Sequence, residues 1–215
     1  MIKKMLSVLM HALQKTNEKR FIAHVRKRNK NLNPTIVSNN CIAGIIYHNL
    51  GLKFSSPTIN LFIKGQDFLL FATYFSKYID CELAEKETDL DYPVGILLGE
   101  KYKLPNIEVN FLHYKSFLEA KEKWLLRCKR VNLNNLYFIW EFYDTAYDVD
   151  LIKQFDKLNY NTLSILHKVI DGVKNYEIAN CYNNDEPTGK ILQYKSKFSG
   201  KRFLDEIDYV SFLNK

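Results

Sequence analysis

The sequence predicts an α/β domain of three layers, a mostly parallel sheet with helices on both faces. Three observations lead there. From Pro34 onward, short apolar runs alternate with stretches of helical periodicity, the pattern of βαβ units. The 215 residues fit one domain, and folding at this length buries roughly 70% of the unfolded surface. Hydrophobic residues make up 47% and charged residues 26%, the balance of a globular protein that needs no disulfide or metal as a staple.

Taken in order, Ile2, Met5, Leu6, Leu9 and Leu13 follow helical spacing, as do Phe21, Ile22 and Val25. Residues 1–32 therefore read as a basic amphipathic helical appendage that ends before Asn33-Pro34. Residues 33–215 form the domain. Thr35–Val37 is a strand. Ile42, Ile45, Ile46 and Leu50 give a helix face that Gly51 stops. Thr58–Ile63 reads as a second strand, and Phe68, Ala72, Phe75 and Ile79 as a second helix. Val94–Leu98 and Ile107–His113 allow an antiparallel hairpin. Phe117, Ala120, Trp124 and Cys128 share a helix face, with Ser116 as cap and Glu119 at the capping-box position. Leu136–Trp140 is a strand, Leu151, Ile152, Phe155 and Leu158 a helix, and Thr162–Leu166 the last clear strand. A polar tail runs from Asn180 to a short element at Phe203–Leu213.

Charge and cysteines narrow the function. Residues 1–30 hold nine bases and one acid, Glu18, a net of +8, while the rest carries 22 bases against 23 acids. A neutral body without an aromatic-basic motif excludes nucleic acid as the partner. The basic segment suits an anionic membrane surface, or packs on the domain or a second subunit. It is no signal peptide, since His11 interrupts the apolar run and no small-residue cleavage site follows. Cys41, Cys81, Cys128 and Cys181 show no CxxC and no metal-ligand spacing, so they read as reduced thiols of a cytoplasmic protein. No metal or cofactor is called for.

Open parallel sheets bind ligands beyond the carboxyl ends of their strands. The candidates are the polar residues that end each apolar run. These are Ser38, Asn39, Asn40 and Cys41; His113, Tyr114 and Lys115; Glu141 and Asp144; and His167. If all four strands are parallel, the clusters meet on one edge and suit an anionic or hydroxyl-rich ligand. Asn39 and Asn40 serve equally as helix caps, and Cys41, in the first helical turn, is either an activated thiol or a packing residue. His48, within the helix, is a binding candidate or a surface residue. Glu141 and Asp144 are a carboxylate pair or helix caps. No GxSxG, P-loop or HExxH occurs.

The stretch Ile36-Val37-Ser38-Asn39-Asn40-Cys41-Ile42-Ala43-Gly44 resembles a bacterial exopolysaccharide-biosynthesis family catalogued as a domain of unknown function (domain of unknown function 1919). The likeness continues through Leu50-Gly51-Leu52, Ser56-Pro57-Thr58 and Tyr92-Pro93-Val94-Gly95. It is strongest at Phe111-Leu112-His113-Tyr114-Lys115-Ser116 with Glu119-Ala120-Lys121-Glu122-Lys123-Trp124, and spans about residues 33–215. One departure is Glu141-Phe142-Tyr143-Asp144, where the resemblance implies an Asp-Arg-Asp-Gly-like turn; that leaves an acidic role there open.

The resemblance implies exopolysaccharide or lipooligosaccharide assembly. The first expectation is a glycosyl or acyl transferase acting on a glycan or its activated precursor. His113 would be the general base, and Lys115 or the helix start at Asn40 would hold an anionic donor group. The rival is a non-catalytic glycan-binding or assembly protein of the same pathway, which a shallow aromatic-lined groove without His113 would favour. A weaker rival is a hydrolase with Cys41 as nucleophile. The expected place is the cytoplasm, peripheral to the inner membrane, and a homo-oligomer is compatible with all of this.

Overall fold

The computed structural model describes residues 2–142, 148–179, 181, 190–196 and 198–215. A single helix, α1 (Ile2–Arg28), leads into β1 (Thr35–Ser38) and α2 (Ile42–Leu50). Gly51 ends α2 with a left-handed φ of 68°, the conformation glycine adopts without Cβ penalty. Two short helices follow, α3 (Gly65–Thr73) and α4 (Phe75–Tyr78), where the periodicity suggests one; the chain breaks at Tyr74, which leaves the helical region. Next come β2 (Glu82–Lys86), β3 (Val94–Leu98), β4 (Ile107–Asn110), α5 (Phe117–Cys128), β5 (Leu136–Glu141), α6 (Val149–Asp156), β6 (Asn161–Leu166), β7 (Tyr176–Ile178) and, near the end, α7 (Tyr209–Leu213).

The strands form two sheets. One is parallel throughout, in the order β1-β5-β6-β7. Its face bearing Ile36, Tyr137, Ile139, Leu163 and Ile165 packs on α2, α7 and Val25 of α1. Its other face carries Val37, Phe138 and Trp140, which meet Phe68, Phe75, Trp124 and Phe155 from the helices opposite. The result is the expected three-layer α/β arrangement.

The second sheet is antiparallel, β2-β3-β4. It contains the expected β3–β4 hairpin, but as a separate sheet. Chain length accounts for the antiparallel pairing: a parallel return needs a crossover of a dozen or more residues, and the link through Gly99–Tyr102 and Pro105 is shorter. Residues 58–63 make no regular strand. Together with Ser55 they run along the free edge of β1, where the Thr35 hydroxyl donates to Ser55 O, Ser38 N to Thr58 Oγ1 and Ile63 N to Asn39 O. Phe62 then bridges Asn110 of β4, with N–H groups donated both ways at 2.8 and 3.0 Å. This segment joins the two sheets.

Candidate functional site

The site is built where β1 and β5 end side by side. Ser38 pairs with Ile139, so the next residues of β1 run on beside Trp140 and Glu141. Asn39 is buried, and its side chain acts as an extra rung of the sheet. Its Nδ2 donates to Glu141 O at 3.1 Å, and its Oδ1 accepts from Glu141 N at 3.0 Å. Residues alternate across a strand, so Glu141 shares the face of Tyr137 and Ile139, beneath the start of α2. Asn40 closes over it. Asn40 Nδ2 donates to the Glu141 carboxylate while Asn40 Oδ1 accepts from Ile42 N.

Glu141 is 1% exposed. Burial disfavours its charged form and pushes its pKa up from 4.5 to about 7, against the smaller opposing effect of the Asn40 hydrogen bond. A carboxyl balanced near neutrality can take a proton and return it. Cys41 stands beside it, half-buried. Burial, and then the Glu141 charge, push this thiol up to about 11, so it stays protonated at neutral pH. That is the opposite direction from an activated thiol: the first helical turn does not offset the desolvation of Cys41. The start of α2 is also already occupied. Ser38 Oγ accepts from Ala43 N and donates to Asn40 O, and Asn40 accepts from Ile42 N. These bonds use N–H groups that an anionic donor group would need.

Tyr114 reaches this corner from the other sheet. Its hydroxyl donates to Ile59 O at 2.9 Å, in the segment that covers β1, and lies close enough to Cys41 for the two to interact electrostatically. Arg127, on α5, donates to the Tyr114 hydroxyl and to Ile59 O and stacks over the Phe54 ring. It is 8% exposed, and among the described residues no carboxylate pairs with it. Sequence reasoning missed Arg127, although the signal was present. It lies seven residues after Ala120 and three after Trp124, on the buried face of the helix.

The remaining candidates fall elsewhere. His113 and Lys115 follow β4, in the antiparallel sheet, and both are exposed. They do not share an edge with Asn39, so the expected meeting of His113 with the Asn39–Asn40 corner is overturned. His48 is exposed at the far end of α2, where its carbonyl accepts from Arg26 Nη2. His167, half-buried, follows β6 on the same sheet edge as Glu141, two strands from β1 or about 10 Å. Asp144 lies outside the described residues. Lys115 instead lines an open cleft of about 480 Å³ between residues 85–94 and the start of α5, with Glu85, Glu87, Asp91, Tyr92 and Phe117 on its walls. His113 is not part of it. Among the described residues no group of His, Cys, Asp and Glu is placed to hold a metal ion.

Fold and site together define an α/β domain with a near-neutral carboxyl buried under a helix start, at the carboxyl edge of a parallel sheet. A family model described as "Domain of unknown function (DUF1919)" matches residues 12–214, and the chain belongs to that family. An uncharacterized protein of Haemophilus influenzae is 32% identical over 191 residues, which is 88% of each chain.

Proposed function

We propose that this protein is a transferase of surface-polysaccharide assembly, exopolysaccharide or lipooligosaccharide, in which Glu141 is the general base. The pathway rests on the sequence resemblance given above. The chemistry rests on one observation, the Glu141 carboxyl buried beneath Asn40 at the carboxyl edge of the sheet, where desolvation pushes its pKa up to about 7. In the ionised form Glu141, uncovered as Asn40 turns off its carboxylate, takes the proton of an acceptor hydroxyl as that oxygen attacks the sugar or acyl carbon of an activated donor. The donor's leaving group departs with the bonding electron pair, and Glu141 then releases the proton. A base with a pKa near the working pH suits this step, and its removal costs about 10²–10⁴ in rate.

The test is genetic and chemical. Deleting the gene from its host is expected to change the mass of the surface glycan. The wild-type gene should restore it, and E141Q, folded by its thermal melt, should not. An unchanged glycan in the deletion strain would overturn the pathway.

The cleft beside Lys115 favours a second reading, a non-catalytic glycan-binding protein. It combines the rings of Tyr92 and Phe117 with three carboxylates, a combination of apolar faces and hydrogen-bond acceptors that fits a sugar. Full restoration by E141Q together with failure of Y92A would select this reading over catalysis.

A further inference from the structure

The helix α1 carries two apolar faces that point in opposite directions. At 3.6 residues per turn, Val8, Leu9, Ala12 and Leu13 are centred roughly half a circle away from Phe21, Ile22 and Val25. Of the second set, Val25 and Phe21 pack on the domain. They are held there by Arg26 donating to Asn49 O and His48 O, and by the Arg28–Asp208 ion pair. The first set therefore faces away from the domain, with Val8 66%, Leu9 58% and Leu13 46% exposed.

The same outward stripe continues into Lys19, Arg20 and Lys27, all exposed. From Val8 to Lys27 it is about 30 Å long. It carries no carboxylate. The one acid of the segment, Glu18, points inward, where it accepts from the Tyr194 hydroxyl and lies 3.6 Å from Arg202.

We propose that this stripe docks the protein on an anionic phospholipid surface. The apolar half enters the boundary of headgroups and acyl chains, and Lys19, Arg20 and Lys27 pair with lipid phosphates. Charge decides between the possible occupants. A second copy seated on this face would bring an acid-free cationic stripe against another, and a polyanion in solution would leave Val8, Leu9 and Leu13 in water. A bilayer with anionic lipid meets both halves. The helix lies on the surface rather than through it, since no described helix is long and apolar enough to cross a membrane.

The test is co-sedimentation of the full chain with vesicles of phosphatidylcholine alone or with one-third phosphatidylglycerol. Binding is expected only with phosphatidylglycerol, and should weaken as salt rises. K19Q/R20Q should bind roughly 30-fold more weakly, at about 1 kcal/mol for each base lost. L9D/L13D should bind about 100-fold more weakly through lost apolar burial. These side chains are exposed, so both variants should keep the wild-type thermal melt, which separates lost docking from lost folding. The proposal falls if the wild type stays in the supernatant with phosphatidylglycerol vesicles at low salt, or if neither variant alters binding. It also falls if sedimentation shows a dimer that L9D/L13D dissociates while vesicles are ignored.

Discussion

Glu141 sets how the molecule answers to pH. Its folded pKa is raised by burial from 4.5 to about 7, so between those values the folded chain keeps a proton that the unfolded chain gives up. Stability from this group is full below the lower value and is lost as pH rises through the upper one. E141Q removes the cost of burying a charge. It should therefore gain on the wild type by an amount of order 2 kcal/mol between about pH 5 and about pH 8.5, read from urea melts at each pH. Equal pH slopes in the two proteins would show that the carboxyl is already ionised when folded. The residues around it were partly legible. Asn39, Asn40 and Glu141 are polar side chains that directly follow apolar runs, and the sheet places them where that pattern implies. His113 follows such a run equally well, but nothing in its own segment says that β4 belongs to another sheet. Arg127 stayed hidden because a charge on a helix face reads as solvated until its partners, Tyr114 and Ile59 O, arrive from distant sequence.

At the level of elements, the docking of α1 depends on Gly200. Its φ is +61°, and a Cβ there would come within 2.4 Å of Glu18 N and 2.5 Å of Gln14 O. Both are backbone atoms of the helix and cannot swing aside. Gly200→Ala should therefore push α1 off its seat and cost about 2–4 kcal/mol in a urea melt, combining overpacking with left-handed strain. A loss below about 0.5 kcal/mol would mean that the helix is not held there. Helical periodicity gave the presence of α1 and α5 but not the reversal of the apolar face midway along α1. Its two halves were each apolar on one side, and only the packed domain distinguishes those sides. The strands β2 and β7 escaped notice for another reason. Glu82–Lys86 carries three charges in five residues and pairs at the edge of its sheet, and β7 is too short to show alternation.

For the molecule as a whole, both tryptophans lie in one core that spans the two sheets. Trp124 meets Phe71 tilted and Phe111 edge-on, and Trp140 stacks on Phe142 and meets Phe68 and Phe155 edge-on. The sheets should therefore melt together, with tryptophan fluorescence and far-ultraviolet circular dichroism superimposing in denaturant. Two separated transitions would show that the Phe62 and Ile63 connection does not couple them. The alternation of strands and helices was enough to read β5, α6 and β6 as a local βαβ unit, whereas β1 reaches its place beside β5 only across α2 to α5 and the second sheet. How the second sheet attaches was not visible, since it depends on two hydrogen-bonded residues in a stretch that reads as an ordinary strand. That stretch also limits how copies of this protein can associate. Residues 55–63 occupy the outer flank of β1, and β7, at the opposite side, is three residues long. A foreign strand finds little template on either flank of the parallel layer, so growth by strand addition, the usual route from an open sheet to fibrils, has almost nowhere to begin there.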